Sequence, residues 1–268
     1  MRIGTGLLLV MAMLVAGCAT SPPARSERGQ FVERQLSHEG RVHRYQVFVP
    51  ARSAAPGRAP VILFLHGSGE RGDDNRRQLS VGLGPRVQAQ ADTFPAIVVF
   101  PQAPADTEWH QLADVAFAQL DAATREFGGD PDRTYLTGLS MGGYGAWELA
   151  LRQSYRFAAV VPVCGGLEHP RRPSMAVTVV AGEADPYAAV AQRLRGMPVW
   201  MFHGAHDDLV PPEYSRRLEA AFRAAGARDV RYTEFPDANH NSWDPAYATA
   251  ELWDWLFAQR QADAFRQR

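Results

Sequence analysis

The chain has 268 residues, a formal net charge of −1 and 46% hydrophobic residues. Its near-balanced charge offers no basic face for nucleic acid, so a nucleic-acid partner is not expected. Once a leader and a linker are set aside, the remaining length suits a single α/β domain with a full hydrophobic core.

The amino terminus has the pattern of a bacterial lipoprotein signal peptide. Met1-Arg2 supplies a positive charge, Leu7–Val15 is apolar, and Leu14–Cys18 is a small-residue cleavage site that ends in cysteine. The apolar stretch is too short to predict a membrane span. We therefore expect residues 1–17 to be a signal peptide, Cys18 to be lipidated and residues 18–30 to form a polar linker before a catalytic domain at 31–268.

The resemblance to bacterial lipoproteins implies, by their sorting rule, that Ala19 in place of an acidic residue after the cysteine favours delivery to the outer membrane. We therefore expect a lipid-anchored protein of the bacterial envelope that faces the periplasm. The alternatives are an ordinary secretory signal or a buried cysteine after a misassigned start. The only other cysteine, Cys164, follows an apolar run and is expected to be a buried small side chain.

Strand and helix patterns alternate along the rest of the chain. Val42–Val49 is predicted as a first edge strand, and a helix is predicted from Asp114 to Phe127. Further strands are predicted at Val61–Leu65, Ala96–Phe100, Thr134–Thr137, Pro198–Phe202 and, by alternation, Val230–Phe235, and late helices at Pro212–Ala225 and Ala246–Gln259. This alternation predicts an α/β fold, a mostly parallel twisted sheet with helices on both faces.

Gly138-Leu139-Ser140-Met141-Gly142 is a G-x-S-x-G motif between a predicted strand and a predicted helix. A serine on such a sharp turn is held on a strained backbone with its hydroxyl exposed at the carboxyl edge of the sheet. The glycines remove Cβ atoms where strand and helix close on each other. The motif therefore makes Ser140 the candidate nucleophile, although an ordinary serine in a glycine-rich turn has the same letters.

A serine nucleophile needs a base and an acid that orients the base, and after this turn they follow in the order acid, then histidine. Asp207 follows the strand that ends near Phe202, and His240 follows the last strand, so both are expected at the same sheet edge as Ser140. We assign Asp207 as the acid and His240 as the base.

Other residues compete for these roles. Asp208 and Asp185 are alternative acids, because each also follows a strand-like run, Val177–Ala181 in the case of Asp185. His66 and His203 precede glycines at strand ends, where a histidine more often bonds local backbone than titrates. The spacing of His203, His206 and the following aspartates matches no zinc pattern, so no metal is expected.

Acyl transfer also needs backbone N–H groups that stabilise the oxyanion. One donor is expected from Met141, directly after the nucleophile, and the other from the loop after an early strand. Val61–Leu65 leads into His66-Gly67-Ser68-Gly69, and the glycines allow the Ser68 N–H to turn toward a substrate. Ser68 and Met141 are therefore the predicted oxyanion-hole donors, through their main chains.

Four segments together resemble a known family. They are the motifs that begin at His66, Gly138, Phe202 and His240, which read HGSGERGDDN, GLSMGGYG, FHGAHDDLVP and HNSWD. The chain is similar over roughly residues 40–260 to the α/β-hydrolases known as predicted peptidases, which are prolyl-oligopeptidase-like or phospholipase/carboxylesterase-like proteins related to dienelactone hydrolases. The resemblance implies the α/β-hydrolase fold in a single domain, and it supports Ser140, Asp207 and His240 as a triad.

The substrate is less clearly encoded. Trp109 and Trp243 lie beside the predicted catalytic edge and are candidates for an apolar pocket, with core packing as the alternative for each. No segment is long enough for the separate propeller domain of prolyl oligopeptidases. We therefore expect a cofactor-free serine hydrolase of small carboxylic esters, with a small peptidase or amidase as the alternative and a non-catalytic envelope binding protein as a third hypothesis.

Overall fold

The computed structural model describes residues 26–52, 54–55 and 57–261. The predicted signal peptide, the predicted lipidation site Cys18 and most of the predicted linker lie outside these residues. Eight strands form one sheet in the spatial order β1-β2-β4-β3-β5-β6-β7-β8. Their bounds are β1 Gln30–His38, β2 Arg41–Val49, β3 Ala59–Leu65, β4 Ile97–Pro101, β5 Gly129–Leu139, β6 Ala159–Val163, β7 Val199–Gly204 and β8 Val230–Phe235.

The sheet is parallel from β4 to β8, whereas β1 and β2 pair antiparallel at one side. Every residue of β3 is buried, as expected for a central strand that is covered on both faces. The expected mostly parallel α/β sheet is therefore confirmed.

Seven α-helices cover the two faces of the sheet in the described part of the chain. They are α1 Leu83–Ala89, α2 Ala113–Glu126, α3 Met141–Arg152, α4 Pro186–Arg193, α5 Glu213–Ala224, α6 Trp243–Ala248 and α7 Ala250–Ala258. Buried side chains of α2, α3, α4 and α5 join one core cluster, and those of α1, α6 and α7 join the other. The sheet thus has a hydrophobic core on each side.

Three sequence-based predictions of local structure are wrong. Val42–Val49 is not the edge strand, because β1 pairs along the whole of β2 and takes the edge position. The run Val177–Ala181 contains a 3₁₀ turn, not a strand. The single helix predicted over 246–259 is two helices, since Thr249 leaves helical geometry with φ −63° and ψ 113°.

The parallel strands bring the sequence motifs to one edge of the sheet. β3 ends at Leu65, directly before the glycine-rich loop, and β5 ends at Leu139, directly before Ser140. β7 and β8 end shortly before Asp207 and His240. Ligands of open α/β sheets bind outside the carboxyl ends of the strands, and the candidate site lies there.

Candidate active site

Ser140 lies on the sharp turn between β5 and α3. Its backbone has φ 52° and ψ −119°, a conformation that L-residues rarely adopt and that costs about 1–3 kcal/mol. A Cβ at position 138 would lie 2.3 Å from the Gly142 carbonyl oxygen, and one at position 142 would lie 1.9 Å from the Leu65 oxygen. Both motif glycines are therefore required for the close packing of strand, turn and helix.

The structure brings the predicted nucleophile, base and acid together. His240 Nε2 is 2.9 Å from the Ser140 hydroxyl oxygen, and His240 Nδ1 is 2.7 Å from Oδ2 of Asp207. A neutral imidazole with its proton on Nδ1 donates to Asp207 and accepts from the Ser140 hydroxyl. This is the arrangement that general-base activation of a serine needs.

The Asp207 carboxylate is buried and fully hydrogen-bonded. Its Oδ1 accepts the N–H groups of Leu209 and Val210, each at 2.9 Å, while Oδ2 faces His240 and His203. Burial by itself would raise the pKa of Asp207, but the hydrogen bonds from His203, His240 and the Val210 N–H outweigh it and hold that pKa well below its usual range. Asp207 is therefore an anion that can orient His240.

The alternative acids have other environments. Asp185 caps helix α4, where its Oδ1 accepts the N–H groups of Tyr187 and Ala188. Asp208 is exposed, and its carbonyl oxygen accepts a hydrogen bond from Arg171. Within the described residues, Asp207 is the carboxylate whose oxygen contacts His240.

The two histidines that precede glycines at strand ends differ in their partners. His66 bonds only backbone: Nε2 accepts from the Ala103 N–H at 2.9 Å, and Nδ1 donates to the Gly67 carbonyl at 2.6 Å. Burial lowers the pKa of His66 to about 4, so it is neutral. His203 bonds a backbone carbonyl too, that of Val210, but it also contacts Asp207 at 3.1 Å, which the sequence did not indicate.

The predicted oxyanion donors lie beside the nucleophile. A Cβ at Gly67 would be 3.6 Å from the Cβ of Ser140, so the loop that carries Ser68 runs alongside it. Met141 is the first residue of α3, and N–H groups at a helix start have no acceptor within the helix. The positive end of the helix dipole at the same place favours a developing oxyanion.

Two side chains brace the loop that carries Ser68. Arg71 donates to the Ser68 carbonyl at 3.2 Å and approaches Glu108 at 3.7 Å. The indole N–H of Trp109 donates to the His66 carbonyl at 2.9 Å. Trp109 is only 2% exposed and lies against Gly145 of α3, so of its two predicted roles it takes core packing instead of a place in the wall of a substrate pocket, and it supports the loop from the core side.

A cleft of about 470 Å³ opens at Ser140, and we call it the Ser140 cleft. It includes Trp243, whose ring meets His240 edge-on at 5.6 Å between centroids, as the sequence suggested. The other residues that line it are Gly67, Ser68, Gly69, Glu70, Leu139, His169, Arg171, Arg172, Met175, Leu209, Val210 and His240. Its volume falls within the range of small-molecule sites, about 300–1,000 Å³.

The cleft has charged groups on two sides. Arg171 and Arg172 belong to the segment after β6, and the Arg172 guanidinium is 3.5 Å from the Ser68 hydroxyl. Within the described residues, no carboxylate lies within ion-pair distance of either arginine. Glu70 lies in the oxyanion loop, and burial raises the pKa of its carboxyl. A substrate in the cleft therefore meets cationic groups on the β6 side.

One cluster in the described part of the chain brings three potential metal ligands together: Cys164, Asp207 and His240, within 4.8 Å of one another. A thiol must lose its proton to bind a metal. Burial and the charge of Asp207 both raise the pKa of Cys164. The other two side chains are hydrogen-bonded to each other, so the cluster suits a triad with a neighbouring buried thiol better than a metal centre.

Known proteins of similar sequence and structure fit this geometry. Residues 88–251 match the Dienelactone hydrolase family. Esterase LipQ of Mycobacterium tuberculosis is 27% identical over 219 residues, and the match covers 69% of this chain and 51% of LipQ. The chain thus spans about half the length of that relative.

Solved structures share the fold. A thermostable esterase is 30% identical with a TM-score of 0.68, and the match covers 86% of this chain and 63% of the esterase. A ferulic acid esterase is 19% identical with a TM-score of 0.62, covering 87% and 98% of the two chains. An acylaminoacyl peptidase of Pyrococcus horikoshii is 15% identical with a TM-score of 0.64, covering 86% and 41%. The last two likenesses concern the fold alone.

Since the family match spans more than half of the chain, the protein belongs to the dienelactone hydrolase family, with the α/β-hydrolase fold.

Proposed function

We propose that the protein is a serine hydrolase that cleaves small carboxylic esters through an acyl-enzyme on Ser140. The observation that carries the proposal is the pair of contacts made by His240, 2.9 Å to Ser140 and 2.7 Å to Asp207. The esterase relatives support ester hydrolysis as the reaction class.

In the first half of the reaction, the Ser140 hydroxyl attacks the ester carbonyl carbon while its proton passes to Nε2 of His240. The carbonyl oxygen becomes an oxyanion, which the N–H groups of Ser68 and Met141 stabilise. The carbon–oxygen bond of the leaving alcohol then breaks, and His240 returns the proton to that oxygen. Asp207 stays ionised throughout and stabilises the imidazolium, as its lowered pKa permits.

In the second half, water takes the place of the alcohol. His240 removes a proton from the water, the hydroxide oxygen attacks the acyl carbon, and the bond to Ser140 breaks as the proton returns to the serine oxygen. The products are a carboxylic acid and free enzyme. No cofactor takes part in any of these steps.

The size and make-up of the Ser140 cleft favour a small substrate. A volume of about 470 Å³ with Met175, Val210 and Trp243 among its lining residues suits a short acyl or aryl group next to polar walls. A small peptidase or amidase uses the same triad, so esters and amides must be compared directly.

The decisive experiment compares short-chain aryl esters with peptide anilides, using purified protein that lacks residues 1–18. We expect measurable kcat/KM on the esters, no turnover after Ser140→Ala, and fluorophosphonate labelling only when Ser140 is present. Ser80→Ala is the matched control, because Ser80 is exposed and bonds only to the Arg77 carbonyl within its own turn. Anilide turnover above ester turnover would favour the peptidase, and equal labelling of Ser140→Ala would exclude Ser140 as the nucleophile.

We also propose that the protein is anchored to the bacterial envelope through Cys18. The support comes from the sequence of residues 1–18. Within the part of the chain that the structure describes, no helix has the length and apolar character to cross a bilayer. Labelling cells with a palmitate analogue should mark the wild type but not Cys18→Ser, and the variant should leave the membrane fraction. Equal labelling of both would contradict the anchor.

A further inference from the structure

The acid of the triad has a second imidazole partner, His203 at the end of β7. His203 is completely buried, and its Nε2 is 3.1 Å from Oδ2 of Asp207 and 3.0 Å from the Val210 carbonyl oxygen. Both partners are acceptors, so Nε2 carries a proton and donates to them. Oδ2 of Asp207 therefore receives an N–H from His203 as well as one from His240.

The opposite nitrogen of this ring is also engaged. Nδ1 of His203 is 2.8 Å from the hydroxyl oxygen of Ser215, a buried residue in the first turn of α5. In a neutral imidazole with its proton on Nε2, Nδ1 is an acceptor, and the Ser215 hydroxyl is the donor. Since a hydroxyl can donate or accept, the two acceptors at Nε2 set the tautomer, and the hydrogen bond from Ser215 fixes the orientation of the ring.

The two oxygens of Asp207 are held in different ways. Oδ1 is fixed by N–H groups of its own turn, from Leu209 and Val210. Oδ2 has no backbone donor among its described hydrogen bonds, so without His203 it would be held only by His240, the residue it has to orient. An oxygen that is held only by the moving base contributes less to fixing the direction of that base.

We propose that His203, with its ring held by Ser215, is a positioning residue that fixes Oδ2 of Asp207 in line with Nδ1 of His240. The proposal rests on the proposed function for its catalytic consequence. His203 lines no part of the Ser140 cleft and acts through Asp207, so it should affect kcat without affecting KM.

The charged and titratable groups around His203 come from β8, α5, the end of β6 and the loops after β7 and β8. Glu234 on β8 is its register partner, and the charge of Glu234 is matched by Arg216 of α5 at 2.8 Å. The Tyr232 hydroxyl also donates to Glu234. Beyond Asp207 lie His240 and, at the end of β6, the protonated thiol of Cys164. Of the two described carboxylates near His203, Glu234 is paired with an arginine and Asp207 is not. The N–H groups of His203 and His240 both bond Oδ2 of Asp207, so they compete for the same oxygen.

This competition gives a measurable signature. Loss of the His203 donor leaves Oδ2 free to bond His240 alone and more strongly, which favours the charged form of His240. In His203→Phe, the His240 titration followed by ¹⁵N-histidine NMR should move up by ~0.5 pH unit or more. The ascending limb of kcat/KM against pH should move with it, and kcat should fall about 10- to 100-fold because the base is less well oriented.

Two further variants separate positioning from packing. His203→Gln keeps an N–H donor near the Nε2 position, so it should recover most of the lost kcat and return the His240 titration toward the wild-type value. Ser215→Ala leaves Nδ1 of His203 without a donor, which should lower the free energy of unfolding. Because the ring is then held less firmly, the His240 titration should move in the same direction as in His203→Phe, but by less. Thr124→Val is the matched control, since the Thr124 hydroxyl bonds only to the Leu120 carbonyl within α2.

The outcomes separate the two proposals. If folded His203→Phe and Ser215→Ala both keep the wild-type His240 titration, the positioning role is wrong, whatever the turnover. If His203→Phe does not fold, the His240 titration of Ser215→Ala decides. If the wild type neither hydrolyses esters nor labels at Ser140, the proposed function fails, while the NMR titration still tests the contact between His203, Asp207 and His240.

Discussion

Replacing Asp207 by asparagine is the sharpest test of the triad, because the structure determines how the amide must lie. Oδ1 accepts two backbone N–H groups, from Leu209 and Val210 at 2.9 Å each, and only the amide oxygen can take that position. The NH₂ group must then occupy the position of Oδ2, which faces His240 Nδ1 at 2.7 Å.

An NH₂ group at this place reverses the hydrogen bond to the base. His240 Nδ1 has to accept, so the imidazole proton moves to Nε2, which points at the Ser140 oxygen 2.9 Å away. A protonated Nε2 cannot take the serine proton. The same substitution in the serine-protease precedent costs about 10⁴ in kcat, which corresponds to about 5.5 kcal/mol of transition-state stabilisation.

The same amide also meets His203. Its NH₂ group would face the Nε2–H of His203 at about the 3.1 Å that separates Nε2 from Oδ2, so two donors would oppose each other in a buried place. We expect the free energy of unfolding to fall by about 1–3 kcal/mol, the cost of a buried group without a partner. Urea denaturation measures this loss independently of activity.

The assay is kcat on a short aryl ester with Asp207→Asn, Asp208→Asn and Asp185→Asn side by side. Asp208 is exposed and Asp185 caps α4, a role that asparagine fills as well, so both control variants should keep near wild-type kcat. If Asp207→Asn retains more than about a tenth of wild-type kcat, or if a control loses far more activity than Asp207→Asn, the assignment of the acid is wrong.

Three further predictions follow from the site. Ser140→Gly should be more stable than Ser140→Ala by about 1 kcal/mol in urea denaturation, because only glycine relieves φ 52°; equal stability would mean that the turn is unstrained. Because folding lowers the pKa of Asp207, its ionised form stabilises the fold above the unfolded-state pKa of about 3.9, and this stabilisation is lost as pH falls from there through the folded-state pKa. The difference in the free energy of unfolding between wild type and Asp207→Asn should therefore narrow on acidification from pH 5. A constant difference would contradict this. Arg171→Ala and Arg172→Ala should each lower kcat/KM for a succinyl half-ester by up to about fivefold, with little change for the neutral butyryl ester; the control Arg195→Ala should affect neither, and parallel losses on both esters would argue against charge recognition.

Buried parallel strands and the residues that follow them could be predicted from sequence for a physical reason. A strand covered on both faces must be apolar throughout, as Val61–Leu65 is, and the polar residue after it marks the sheet edge. β8 begins and ends at Val230 and Phe235, as predicted. Because parallel strands end at the same edge, the order of Ser140, Asp207 and His240 along the chain was enough to place all three together.

Features that depend on contacts with other segments of the chain could not be predicted in this way. β1 has the sequence QFVERQLSH, in which six of the nine residues are polar, and it is a strand because it pairs with β2 from Gln30 to His38. The position of Trp109 was ambiguous for a related reason. An indole after a strand end can face a ligand or the core, and here a hydrogen bond to the His66 carbonyl and the absence of a side chain at Gly145 place it in the core.

His203 differs from these cases, because its pattern was present in the sequence. On β7, Val199 and Met201 pack in the core cluster that α5 covers, and alternation puts His203 on the same face. On α5, Leu218 and Phe222 face that core, and Ser215 precedes Leu218 by three residues, which is the helical spacing for a shared face. The strand period and the helix period thus direct an imidazole and a hydroxyl toward each other beneath the Asp207 turn. The contact between His203 and Ser215 is not revealed by motif matching or by the preference of strand-end histidines for backbone partners, because each of these considers one segment at a time. The strand period and the helix period together predict the contact between His203 and Ser215, and Asp207, the acid of the triad, follows His203 by four residues.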